Sequence, residues 1–145
     1  MTGYLMSAIA GAAMSFQGVI NTRLSEKIGL YESNVFAQAT ALAFGLIAMW
    51  IMGKGSFSEL AGTSKIYWTG GLFGTVIIIT VMLAIGNLSP TRAIAVILIS
   101  QLLAAAVIDA FGWLGADKVP FTWNKWLGLS LMIAGVISFK WERGG

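Results

Sequence analysis

Fifteen side chains in this 145-residue chain carry a charge, and fourteen of them lie outside five long apolar runs. The runs cover roughly Tyr4–Thr22, Val35–Met52, Ile66–Gly86, Ala93–Leu114 and Trp126–Phe139. A bilayer core of about 30 Å takes about 20 helical residues to cross, and most of the runs are close to that length. In hydrocarbon the backbone has no water to bond, so only helices and closed barrels can span it. Barrel strands alternate polar and apolar residues, and these runs do not. The expected fold is therefore an all-α integral membrane protein with five transmembrane helices, forming one domain over residues 1–145.

Composition agrees: 57% of residues are hydrophobic and 10% charged, with a mean hydropathy of +0.82. Soluble domains carry about 25% charged residues. The first run has no basic segment before it and stays apolar for a full crossing, so it reads as a retained span and not a cleaved signal peptide.

Each break between runs has a local cause. Arg23, Glu26 and Lys27 close the first, and Gly53-Lys54-Gly55-Ser56 the second. After Gly86-Asn87, Ser89-Pro90 reads as an N-cap followed by proline at the first helical position. Gly115-Ala116-Asp117-Lys118 and Pro120 separate the last two runs. Trp68, Trp113, Trp123, Trp126 and Trp141 fall near run ends, where indole rings favour the headgroup region. Small residues recur at helical spacing: Gly11, Ser15 and Gly18, then Gly70 and Gly74, then Gly128 and Gly135. Such positions let membrane helices approach closely.

Five spans put the termini on opposite sides. One side then holds Lys54, Lys65, Lys118 and Lys125, and the other Arg23, Lys27, Arg92, Lys140 and Arg143. Cytoplasmic loops of a protein with fixed orientation carry an excess of Lys and Arg. Four against five gives almost no such signal. The expectation is dual topology: copies insert both ways and pair as an antiparallel homodimer, an arrangement related to the inverted repeats of secondary transporters.

The chain has no Cys and no His, which removes disulfides, thiolate nucleophiles, Ser-His-Asp triads and most transition-metal sites. No metal, no cofactor and no nucleic-acid partner is expected, and an enzyme is the least favoured class. Asp109 is the sole acid inside a run, and ionisable groups at that depth mark function by default. Ser15, Gln17 and Asn21 lie on the first helix, with Gln17 and Asn21 four apart on one face. Gln101 lies close to the middle of the fourth. In an antiparallel dimer Asn21 of one copy comes level with Asp109 of the other, with Gln17 and Gln101 nearer the midplane. Ser15, Gln17, Asn21, Gln101 and Asp109 are the candidate substrate-binding residues.

Two segments carry a resemblance: Phe16-Gln17-Gly18-Val19-Ile20-Asn21-Thr22-Arg23-Leu24, and Gln101 to Gly112 (QLLAAAVIDAFG). With them the chain resembles the YdcZ-type family of bacterial five-span proteins in the drug/metabolite transporter superfamily. The resemblance implies a multi-pass protein of the bacterial inner membrane, of a kind that occurs as single dual-topology chains, as oppositely oriented pairs and as fused duplicates. A more distant likeness, carried by Gly128-Leu129-Ser130-Leu131-Met132-Ile133-Ala134-Gly135-Val136, is to the four-span small multidrug resistance transporters. It implies a subunit contact at Gly128 and Gly135. Those transporters depend on a first-helix glutamate, and the corresponding region here offers Ser15 or Gln17, which counts against proton-coupled export of cationic drugs.

The expected function is transport of a small polar organic solute by alternating access across the homodimer, with any proton coupling running through Asp109. The alternatives are a dual-topology channel and a non-transporting membrane subunit. The partners expected are a second copy, membrane lipid and the solute.

Overall fold

The computed structural model describes the backbone of residues 1–140 and side chains through residue 138. Trp141 and Arg143 lie outside the described residues. Five α-helices follow in order: α1 (Thr2–Ile28), α2 (Leu30–Met52), α3 (Gly70–Asn87), α4 (Pro90–Phe111) and α5 (Trp123–Lys140), and no strand forms among the described residues. Among the described residues, four segments are long and apolar enough to cross a bilayer: Thr2–Ile28, Leu30–Met52, Lys65–Asn87 and Pro90–Phe111. The third begins as the 3-10 turn Lys65–Thr69. Helix α5 has 18 residues, about 27 Å at 1.5 Å per residue. Asn124, Lys125 and Lys140 fall within it, so polar ends dilute its apolar length.

The chain divides into two compact units, Met1–Asn87 and Leu88–Gly145. In the first, α1, α2 and α3 each pack against the other two. Helix α1 continues past its apolar run because nothing breaks it before Gly29. Arg23 pairs with Glu26 one turn on, at 3.0 Å, along this exposed extension. Gly29 then takes φ +103 and ψ 156, a conformation essentially restricted to glycine. Its N–H bonds the Ser25 carbonyl and its carbonyl receives the Ser33 N–H, at 3.0 and 3.1 Å. One residue thus turns the chain from α1 into α2.

Of the small residues spaced along the helices, Gly18 makes the closest contact with another helix. A Cβ there would stand 2.9 Å from Ile85 Cδ1 and 3.0 Å from Val81 Cγ1, so α1 and α3 meet over a bare backbone. Gly74 lies beside Gln38, whose amide donates to the Thr75 hydroxyl at 3.2 Å and joins α2 to α3. Gly11, Gly70, Gly128 and Gly135 face open space among the described residues.

The second unit opens with Ser89 capping α4, its hydroxyl accepting from the Arg92 N–H at 3.4 Å, and Pro90 in the first turn. The apolar run extends to Leu114, but α4 stops at Phe111 because Gly112 turns left-handed at φ +65. The connection folds back, and the Val119 N–H donates to the Asp109 carbonyl at 2.9 Å. Phe121 packs edge-on against Trp126, with ring centroids 4.7 Å apart. Helices α4 and α5 pack together, and because the Val119–Asp109 bond returns the chain to the end of α4 just before α5 begins, they form an antiparallel hairpin.

Candidate functional site

In the first unit, Gln17 and Asn21 line one recess with Met14, Gly18, Ile77, Ile78, Val81 and Met82. Its volume is about 30 Å³, roughly the liquid volume of one water, so no organic solute fits inside it. Asn21 is buried, and just beyond it lies a polar layer absent from the sequence expectation: Thr22, Ser33 and Asn34 are buried too. Thr22 donates to the Gly18 carbonyl at 2.7 Å and Ser33 to the Asn21 carbonyl at 3.1 Å. Asn34 Oδ1 is buried with no hydrogen-bond partner among the described residues. Ser15 donates back to the Gly11 carbonyl at 3.0 Å, which satisfies its hydroxyl within its own helix.

The second unit holds a groove of about 400 Å³ between α4 and α5. Leu102, Ala105, Ala106 and Asp109 line it from α4, and Lys125, Gly128, Leu129 and Met132 from α5, with Phe121 from the connection. Both sets follow the spacing i, i+3, i+4, i+7, the signature of a single helix face. Ala105, Ala106 and Gly128 are small, which leaves space between the helices. Asp109 sits in the last turn of α4 and Lys125 in the first turn of α5. The antiparallel hairpin therefore brings both charges to the same end of the groove.

Neither charge is placed to stabilise its own helix. A carboxylate belongs near a helix N-terminus and an ammonium near a C-terminus, each worth about 0.3–1 kcal/mol when so placed. Here both are reversed. The Asp109 carboxylate is half-buried and makes no hydrogen bond or ion pair among the described residues. The Lys125 ammonium donates to the Pro120 carbonyl at 3.3 Å and lies 5.8 Å from the Phe121 ring centroid.

Of the candidate binding residues, the structure brings Gln17 and Asn21 together and places Asp109 in the groove. Ser15 and Gln101 line neither space, and Gln101 is exposed on α4. A larger cleft, about 570 Å³ and lined by Met49, Gly53, Gly55, Ser56 and Phe57, offers no ionisable side chain. Among the described residues no three Asp or Glu stand together to hold a metal.

Polar residues on α1 and α4 thus sit in an almost continuous set of apolar helices, and both segments match one family. The chain belongs to the family described as "Putative inner membrane exporter, YdcZ", whose model matches residues 2–138. It is a multi-pass protein of the inner membrane. Export is a transport function and not an enzyme class. No curated protein and no solved structure matches the chain.

Proposed function

We propose that the protein exports a small polar organic solute by alternating access, with α5 as a fifth span and two copies joined as an antiparallel, dual-topology homodimer. Gln17 and Gln101 carry this reading. Both amides are exposed within the apolar stretches of α1 and α4, and lipid offers no partner for their donors and acceptors. A second protein surface or a water-filled path has to meet them. The near balance of Lys and Arg between the two sides makes an inverted copy the natural surface. In that dimer Ser15, Gln17 and Asn21 of one copy and Gln101 and Asp109 of the other contact the solute.

Reporters active on only one side of the membrane, fused in turn to the C-terminus, test the assembly. The dimer requires signal from both kinds of reporter, and signal from one kind alone overturns it. Proteoliposomes with the protein in both orientations test export: saturable, slow movement of a solute fits alternating access, whereas channel-like currents do not.

A further inference from the structure

The α4–α5 groove has a chemistry that solute export by itself does not specify. Its lining is apolar apart from Asp109 and Lys125, which the hairpin brings to the same end. They make no ion pair with each other among the described residues. Each is also set against its own helix dipole, so neither is explained by helix stability. Two opposite charges held apart at the mouth of an apolar groove are complementary to a ligand that carries both charges at one end.

We infer that this groove binds a zwitterion with an apolar body, of which an α-amino acid with an aliphatic side chain is the plainest example. Its carboxylate meets Lys125, its ammonium meets Asp109, and its side chain runs over Ala105 and Ala106 toward Leu129. Charge-assisted hydrogen bonds to both ends fix its orientation. The size agrees. A volume of about 400 Å³ falls at the low end of small-molecule sites, about 300–1,000 Å³. From Leu102 to Asp109 the groove wall is about 10 Å long at helical rise. That length suits one small solute and is too short for the acyl chains of a zwitterionic lipid. Lys125 still has donors to give after its bond to Pro120, because an ammonium has three, and the Phe121 ring beside it holds the head in place.

Naming this zwitterion as cargo rests on the export reading above, whereas its binding does not. Full-length protein in phosphatidylcholine nanodiscs is titrated with L-leucine and L-methionine, and tryptophan fluorescence is followed, since Trp123 and Trp126 flank Lys125. Saturable binding is expected. 3-Methylbutylamine and 4-methylpentanoate, which are leucine without its carboxylate and without its ammonium, are expected to bind at least about tenfold more weakly, the scale of one charged hydrogen bond. Asp109→Asn and Lys125→Gln each lose a similar factor, and Lys125→Arg keeps most of the binding. Ala106→Phe fills the groove and abolishes it with both charges intact. Circular dichroism and size-exclusion profiles confirm that the variants are folded.

No saturable binding of either amino acid overturns the inference, as does equal binding of leucine and its two single-charge analogues. Displacement of leucine by phosphatidylethanolamine in the discs, without competition among the soluble zwitterions, reassigns the groove to lipid and overturns it too. Leucine binding without leucine transport in proteoliposomes would leave the site standing and remove its role in export. Transport of other solutes with no leucine binding would do the opposite.

Discussion

The Ser33 hydroxyl, fully buried at the start of α2, donates to the Asn21 carbonyl on α1 at 3.1 Å. This bond ties the first turn of α2 to the last turns of α1, just where Gly29 reverses the chain. Ser33→Ala removes the donor and little volume. We expect a loss of about 0.5–1.5 kcal/mol, the range for one hydrogen bond, measured by unfolding in mixed micelles. Ser33→Leu should cost more, because a side chain with no exposed surface has no room to grow. Equal stability of wild type and Ser33→Ala would show that the bond contributes nothing.

Gly18 gives a graded test of the α1–α3 contact. The atoms that an added Cβ would meet, Ile85 Cδ1 and Val81 Cγ1, are ends of side chains, and these can shift by a few tenths of an ångström. Gly18→Ala should therefore be nearly tolerated. Gly18→Leu should lose about 1–3 kcal/mol by overpacking. Thermal melts in detergent separate the two, and indifference to leucine would mean that the helices do not approach as described.

Local signals made most of the helices legible. Ser89-Pro90 marked the start of α4, and Gly53 the end of α2, because caps and breakers act within one turn. The polar layer was not legible, for a physical reason. Glu32, Ser33 and Asn34 lower hydropathy without breaking a helix, since each costs only a few tenths of a kcal/mol of propensity. A reading by apolar runs starts the second helix at Val35, and the chain starts it at Leu30. Lys125 was missed in the same way. Counted as a loop charge, it stands on the first turn of α5, in register with Gly128, Leu129 and Met132. Composition cannot report the side of a helix on which a residue falls; the i, i+3, i+4, i+7 spacing on α4 and α5 was the available clue.

Gly29 should be the least replaceable glycine. Its φ of +103 with ψ 156 is essentially closed to residues with a Cβ. The added atom would also collide with the Glu32 carboxylate. Gly29→Ala is expected to destabilise by about 1–3 kcal/mol, and the Gly29→Ala/Glu32→Ala double variant should recover only the part due to the collision. Full recovery in the double variant would assign the cost to the carboxylate instead of the backbone.

Transport variants address the export reading. Asp109→Asn and Gln101→Ala should each slow solute efflux from proteoliposomes by about tenfold or more, as expected where polar groups in a membrane protein are functional. Thr80→Val is the matched control. Its hydroxyl is already bonded to the Val76 carbonyl of its own helix at 2.8 Å, so its removal should leave the rate unchanged. Wild-type rates in both Asp109→Asn and Gln101→Ala would take these residues out of the pathway.

The glycine pair on α5 distinguishes antiparallel from parallel assembly. Helix α5 runs from Trp123 to Lys140, so its midpoint lies between Leu131 and Met132, and Gly128 and Gly135 stand equally far on either side. Both positions face open space among the described residues. If two copies cross at this midpoint in opposite directions, Gly128 of one is level with Gly135 of the other. If they run parallel, each glycine is level with its own counterpart. The chain has no cysteine, so single introduced thiols report without background. Co-expressed Gly128→Cys and Gly135→Cys chains of different length should give the mixed cross-linked dimer, because a disulfide needs Cα atoms within about 7 Å. Two positions seven residues apart on a helix differ in depth by about 10 Å, beyond that reach. Dimers formed only within each variant would require parallel copies, and with them a fixed orientation in the membrane.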